Sequence, residues 1–236
     1  MVVDRIAKQQ LNVIILVDTS KSMQGKRISQ VNNALRDIRD HLIEMQDENT
    51  NVSFAITVIP FSNEASFLNN DRSKEIELFE FHDLKGGGWS NLHLAYGKLS
   101  EILRKQSKGG IMPDFGGVAP IILLMTDGHP TKYPLRKEME ELKSLPWFRE
   151  ALKYGVAIMH NDDKTHKVLE DFVSGNGDVI DCYDTSLLKN IIKIIVLTAS
   201  KVKSTNTGVN SAKPVAKNKQ IVQEVKEALE EIIWEW

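Results

Sequence analysis

The chain places Asp18-Thr19-Ser20-Lys21-Ser22 directly after the apolar run Leu11-Asn12-Val13-Ile14-Ile15-Leu16-Val17. Apolar side chains at nearly every position of that run are typical of a central strand that is covered on both faces. One carboxylate and two hydroxyls therefore stand at alternating positions where a buried strand should end. Ligand sites of open α/β sheets form at the carboxyl ends of strands, so this stretch is the first candidate site.

Segments of strand and helix character alternate along the rest of the chain. Apolar runs predict further strands at 52–60, 120–126, 156–159 and 179–183, and helical spacing predicts helices at about 25–45, 92–104, 137–154, 164–173 and 186–202, with a break at Pro146. Shorter, more polar runs at 67–68 and 76–81 predict edge strands in a hairpin. The alternation predicts a Rossmann-like α/β fold, with a mostly parallel sheet, one antiparallel edge strand and helices on both faces.

Composition places the chain among globular proteins. It has 236 residues, a formal net charge of −2 and 42% hydrophobic residues, and no apolar run approaches the roughly 18 residues of a membrane span. The small net charge gives no general attraction to nucleic acid or to an anionic membrane. A single cysteine, Cys182, fits a reducing compartment, and Asp4 and Arg5 follow Met1 too closely for a secretory leader. We expect a cytoplasmic protein.

Composition changes near the carboxyl terminus. Residues 203–219 are rich in Ser, Thr, Asn, Gly, Ala and Lys, which is typical of a flexible linker between a domain at 1–202 and a terminal segment at 220–236. The terminal segment has helical spacing of apolar residues, namely Val222, Val225, Leu229, Ile232 and Trp236. This amphipathic helix either folds back on its own domain or binds a partner, including a second copy of the chain through 220–236.

Two further segments place oxygen-bearing side chains at the same predicted edge. Asp127 follows the strand at 120–126, and Ser90 lies in the turn before the helix at 92–104. Mg²⁺ requires near-octahedral oxygen coordination and keeps several waters. Two carboxylates and three hydroxyls, from Asp18, Ser20, Ser22, Ser90 and Asp127, would hold it and leave it electrophilic. An open position would then attract a further carboxylate, which favours docking over hydrolysis.

These motifs resemble those of von Willebrand factor A domains with a metal-ion-dependent adhesion site. Asp18-Thr19-Ser20-Lys21-Ser22 is similar to the family's Asp-x-Ser-x-Ser, Gly88-Trp89-Ser90-Asn91-Leu92 to its Gly-Gly-Thr-x-Leu, and Thr126-Asp127-Gly128 to its Thr-Asp-Gly. The resemblance covers about 11–202 and implies Mg²⁺ or Mn²⁺ as the cofactor. It implies direct ligation by Ser20, Ser22 and Ser90, and direct or water-mediated ligation by Asp18 and Asp127.

Residues 121–130 and Leu145-Pro146-Trp147-Phe148 look most like the bacterial TerY-like branch of that family. The resemblance implies a cytoplasmic protein of a tellurium-resistance or stress system. A Ser/Thr kinase or a PP2C-type phosphatase of the same system is then the implied partner.

The sequence therefore predicts a Mg²⁺-dependent protein-interaction module, not an enzyme, in which an Asp or Glu of a partner protein completes the coordination. Trp89, His129 and Lys21 are the predicted partner-binding rim. Two alternatives stay open: a metal-dependent phosphohydrolase on the same rim, and a metal-free scaffold that acts through the C-terminal helix. The first lacks an obvious base or nucleophile beside the metal set.

Overall fold

Strand β1 lies inside a six-stranded sheet with the order β3-β2-β1-β4-β5-β6. The strands are β1 (Gln9–Asp18), β2 (Val52–Phe61), β3 (Lys74–Glu75), β4 (Ile121–Thr126), β5 (Leu152–Ile158) and β6 (Gly177–Cys182). β3 is antiparallel to β2, and every other neighbouring pair is parallel. This arrangement confirms the predicted α/β fold and its single antiparallel edge strand.

The structure is a computed structural model that describes residues 8–48, 52–159, 163–174, 177–183, 188–204, 220 and 222–228. Its α-helices are α1 (Lys26–Glu48), α2 (Leu92–Ile102), α3 (Arg136–Ser144), α4 (Pro146–Glu150), α5 (Asp163–Val173) and α6 (Leu188–Ser204). Most of the predicted linker, 205–219, lies outside the described residues. Within the described part of the chain, no helix has both the length and the apolar character needed to cross a membrane.

Helices cover both faces of the sheet. Successive side chains of β1 point to opposite faces, so the strand contributes to an apolar core on each side. Val13, Ile15 and Val17 join one apolar cluster with residues of α1 and α6. Ile14 and Leu16 join a second cluster with residues of α2, α3, α4 and α5. A strand buried on both sides explains the unbroken apolar run that precedes Asp18.

The candidate site lies where the strand order reverses. β1 pairs with β2 on one side and with β4 on the other. The loops that follow β1 and β4 therefore leave the sheet beside each other, which opens a crevice at their carboxyl ends. Asp18 ends β1, and Asp127 directly follows β4.

The predicted hairpin of edge strands at 67–68 and 76–81 is wrong. Short 3₁₀ helices occupy Leu68–Asn70 and Ile76–Leu78, and β3 consists of two residues only. Asn69 and Asn70 have φ values of 58° and 61°, in the left-handed region that asparagine tolerates better than most residues. This local backbone conformation ends the first segment, and the only extended residues between it and 76–81 in the described structure that pair in the sheet are those of β3.

The predicted helix at 137–154 is also wrong in its second half. α3 ends at Ser144, Pro146 starts the separate helix α4, and β5 begins at Leu152. Proline is well suited to the first position of a helix, where its missing N–H needs no partner. The start of β5 was not predicted as a strand because it contains Lys153, and a lysine rarely occupies a buried position.

The terminal segment folds back on its own domain over residues 222–228, which are helical. Val225 is buried in the cluster that contains α1 and α6, and Val222 packs against that cluster. Lys226 Nζ lies 3.0 Å from Asp178 Oδ2 on β6. Residues 229–236 lie outside the described residues, so self-association through 220–236 stays a prediction.

Candidate metal centre

Three loops meet at the carboxyl end of the sheet. Backbone hydrogen bonds tie them together: Lys21 N donates to Gly88 O at 3.0 Å, and Thr131 N donates to Ser90 O at 2.8 Å. The first bond joins the loop after β1 to the loop before α2, and the second joins that loop to the one after β4. The relative positions of the side chains on the three loops are therefore fixed by main-chain contacts.

Asp18 is the buried centre of the site. Its Oδ1 accepts a 2.8 Å hydrogen bond from the Ser20 backbone N–H. Its Oδ2 accepts from Ser90 Oγ at 2.8 Å and from Thr126 Oγ1 at 2.7 Å. Both oxygens of this carboxylate are thus held in place by groups from the loop after β1, the loop before α2 and the last residue of β4.

Burial raises the pKa of the Asp18 carboxyl, and the hydrogen bonds from Ser20, Thr126 and Ser90 act in the opposite direction. Desolvation disfavours the charged form of a carboxylate, whereas a nearby cation favours it. Asp18 is fully buried at a site where neutral donors alone compensate its charge. A divalent cation bound here would relieve that cost.

Ser20, Ser22 and Asp127 continue the network. Ser20 Oγ lies 3.1 Å from Ser22 Oγ, and Ser22 Oγ donates to Asp127 Oδ1 at 2.7 Å. Together with the contacts of Asp18, these bonds connect all five residues predicted from the sequence. The structure brings them to one place, and their role as metal ligands stays a prediction.

Sequence reasoning missed two residues of this network. Thr126 is the first, because its hydroxyl donates to Asp18 Oδ2 at 2.7 Å. Arg27 was not singled out, although its Nη1 lies 2.7 Å from Asp127 Oδ2 and 2.8 Å from the Ser22 carbonyl oxygen. The sequence held one indication that Arg27 has an acidic partner elsewhere. Arg27 lies in the first turn of α1, where the helix dipole disfavours a cation and no acidic residue is present to pair with it.

The three predicted rim residues are all exposed, one on each loop. Trp89 is 70% exposed, Lys21 is exposed in the turn after β1, and the exposed His129 packs edge-to-face on Tyr133 with ring centroids 5.0 Å apart. Tryptophan is enriched in protein–protein interfaces relative to the rest of the surface. Partner binding by these residues stays a prediction.

Gly88 allows the loop that carries Trp89 and Ser90 to approach the site. Its φ is +84°, and a Cβ at this position would lie 2.7 Å from Asn63 Oδ1. That same oxygen accepts a 2.9 Å hydrogen bond from the Trp89 N–H. A side chain at position 88 would push the loop away, so glycine is required here for the close approach of Trp89 and Ser90 to the site.

The donor set fits a hard divalent cation. It offers two carboxylates and three hydroxyls, all of them oxygen, as Mg²⁺ and Mn²⁺ prefer. Among the described residues, no group of three or more His, Cys, Asp or Glu side chains is placed to hold a metal ion. A cation at this rim therefore depends on the serine hydroxyls as well as on the carboxylates.

A cavity of about 490 Å³ lies elsewhere, between α2, α3 and α5. Its lining includes Tyr96, Tyr133, Met139 and Asp171 and none of the five residues of the candidate site. The oxygen cluster thus lies apart from that cavity, on a rim where Ser22 is exposed.

Comparison with known proteins agrees with the fold. The model of the von Willebrand factor type A domain matches residues 12–193. Inter-alpha-trypsin inhibitor heavy chain H4 from Bos taurus is 30% identical over 131 residues, which are 54% of this chain and 14% of that protein. The chain thus spans a small part of this curated relative.

Two solved structures share the fold at low identity. A von Willebrand factor type A protein from Catenulispora acidiphila has a TM-score of 0.58 and 13% identity, covering 81% of this chain and 43% of its own. Proximal thread matrix protein 1 from the mussel byssus, with a zinc-occupied MIDAS motif, has a TM-score of 0.53 and 19% identity. The match covers 80% of this chain and 48% of the mussel chain. Since the family model matches most of the chain, the chain belongs to the von Willebrand factor type A domain family.

Proposed function

We propose that this chain is a protein-interaction module that binds Mg²⁺ at the rim formed by Asp18, Ser20, Ser22, Ser90 and Asp127. The observation that carries the proposal is the hydrogen-bond network that joins these five side chains from three separate loops. Loops from distant parts of the sequence thus hold five oxygen-bearing side chains in one preorganised set, as a binding site requires.

The five residues would supply the protein's share of the coordination. When bound, Mg²⁺ supplies a positive centre with an open position that attracts a carboxylate. The mussel protein with a zinc-occupied MIDAS motif supports a divalent cation at this kind of site. The all-oxygen donor set favours Mg²⁺ or Mn²⁺ over the softer zinc ion.

The partner would be a protein that presents an Asp or Glu side chain. Trp89, His129 and Lys21 surround the site on three loops and would contact the residues beside that carboxylate. On the resemblance of 121–130 and 145–148 to the TerY-like branch, we propose that this interaction belongs to a bacterial tellurium-resistance or stress system in the cytoplasm. A Ser/Thr kinase or a PP2C-type phosphatase of that system is the partner we propose.

The geometry favours docking over hydrolysis. A general base needs a free acceptor near the reacting water. In the metal-free fold Asp18 accepts from three donors and Asp127 accepts from Ser22 and Arg27, and with the cation bound both would serve as its ligands, so neither carboxylate is left to act as a base. A scaffold that acts through the C-terminal helix alone is also less favoured, because Val225 is already buried on its own domain.

Affinity capture from the source organism tests the proposal. The full chain is used as bait with Mg²⁺, with EDTA, and as the Asp18→Asn variant, which preserves the shape of the buried side chain. A protein that is retained only by the wild type with Mg²⁺ supports the proposal. Retention of the same proteins under all three conditions contradicts it. Ser29→Ala, at an exposed hydroxyl of α1 outside the network, is the matched control.

A further inference from the structure

We infer that Arg27 makes the metal-loaded rim positive, and that it lowers metal affinity while strengthening the hold on an anionic partner. The inference rests on the function proposed above. Arg27 Nη1 donates to Asp127 Oδ2 at 2.7 Å and to the Ser22 carbonyl oxygen at 2.8 Å. One guanidinium nitrogen thus bridges two of the three loops that form the site.

The two partners of the ion pair differ in their exposure to solvent. The side chain of Asp127 is 1% exposed and that of Arg27 is 31% exposed. The carboxylate therefore cannot turn to solvent to replace its partner, whereas the guanidinium reaches the surface. Charge pairs of this half-buried kind are screened less by salt than fully exposed ones.

The charges at the site add up differently with and without Arg27. Among the hydrogen-bonded groups of the network, the two carboxylates contribute −2 and Arg27 contributes +1, so the metal-free network carries −1; the exposed Lys21 lies outside it and is the same in both cases. A divalent cation brings the sum to +1. If residue 27 were neutral, the same step would run from −2 to zero. Arg27 therefore makes the site change sign when the cation binds.

Two opposite effects follow from that sum. Arg27 repels an incoming cation and already occupies one oxygen of Asp127, so it weakens metal binding. The same positive charge attracts the carboxylate that completes the coordination, so it strengthens partner binding. In the metal-free state the site is negative and repels that carboxylate. Arg27 thus sharpens the dependence of anion binding on the cation.

The test compares the full-length wild type with Arg27→Gln and Arg27→Lys. Calorimetry measures Mg²⁺ affinity at low ionic strength, and NMR chemical shifts follow acetate, a minimal carboxylate, added to the Mg²⁺-saturated protein. We expect Arg27→Gln to bind Mg²⁺ at least tenfold more tightly and acetate at least threefold more weakly. Arg27→Lys keeps the charge and should stay close to the wild type in both measurements.

Arg36→Gln is the matched control, because Arg36 also lies on α1 and pairs with an exposed carboxylate, that of Asp83, outside the network. It should leave both affinities unchanged. The inference about Arg27 is overturned if Arg27→Gln keeps the circular dichroism spectrum of the wild type but binds Mg²⁺ no more tightly than the wild type does. The proposed function would still stand in that case. A wild type that binds no Mg²⁺ overturns the proposed function together with the inference.

Discussion

Ser22 Oγ donates a 2.7 Å hydrogen bond to Asp127 Oδ1 across 105 positions of sequence. The bond joins the loop that follows β1 to the loop that follows β4, on either side of the point where the strand order reverses. It is a direct link between two of the three motifs that suggested a metal site. The contact exists because the parallel pairing of β1 with β4 brings both strand ends to one edge.

Replacement of Ser22 by alanine should weaken Mg²⁺ binding at least tenfold and leave the fold intact. The hydroxyl is a predicted ligand and also positions Asp127, whereas the exposed side chain contributes little to the core. Calorimetry of Ser22→Ala against Ser29→Ala checks this. Equal Mg²⁺ affinities of the two variants would exclude Ser22 from the coordination.

Thr126→Val should destabilise the protein by about 1–3 kcal/mol, the typical cost of leaving a buried polar group without its partner. The Thr126 hydroxyl is buried 2.7 Å from Asp18 Oδ2, and valine has the same shape without the donor. Urea unfolding in EDTA measures the free energy of unfolding. Thr126→Ser keeps the hydroxyl and should therefore lose less unfolding free energy than Thr126→Val. Equal stability of the two variants would contradict the role of this hydrogen bond.

Stability should rise between about pH 8 and pH 10.5 because of Lys153. Burial lowers the pKa of this lysine from 10.5 to about 8, and its Nζ contacts the carbonyl oxygens of Phe148 and Ala151 at 3.0 and 3.3 Å. In that window the unfolded chain binds a proton that the folded chain has lost. The free energy of unfolding therefore increases with pH, by about 3 kcal/mol at most.

Lys153→Met separates this effect from other titrations. The variant keeps the length of the side chain without the charge, so it should be more stable than the wild type at pH 7, and the difference should shrink above pH 8. Urea unfolding of both proteins from pH 7 to pH 11 measures that difference. A difference that does not change with pH would show that Lys153 keeps its ordinary pKa in the fold.

Val225→Ala should cost roughly 1–3 kcal/mol of stability, as expected for a truncated core side chain. Val225 is 1% exposed on the domain, in the cluster with α1 and α6. Glu227→Ala, at an exposed position of the same helical segment, is the control and should be neutral. An unchanged unfolding free energy for Val225→Ala would mean that the terminal segment leaves the domain surface in solution.

The sequence was most informative where one rule governed many residues. The apolar run before Asp18 identified a strand covered on both faces, and parallel strands end at a common edge. Those two facts predicted that Asp18 and Asp127 would lie at one edge, where the structure connects them through Ser20 and Ser22; Ser90, from the turn before α2, bonds to Asp18 at the same place. They also predicted the class of fold, because neither depends on individual side-chain contacts.

Prediction failed where a single long side chain decided the outcome. The start of β5 was missed because of Lys153. The burial of this lysine depends on carbonyl groups of Phe148 in α4 and of Ala151 after that helix. Arg27 was missed because its partner Asp127 lies 100 positions away and only the folded sheet brings the two together. Sequence periodicity contains no information about either contact.

Diffraction from crystals soaked in Mn²⁺ tests the central claim most directly, because manganese scatters anomalously and replaces Mg²⁺ at oxygen sites. We predict an anomalous peak within bonding distance of the hydroxyl oxygens of Ser20, Ser22 and Ser90, and its loss in Ser22→Ala crystals. No peak at this rim at saturating Mn²⁺, with the three loops in the arrangement described, would contradict the assignment of a metal-dependent interaction site.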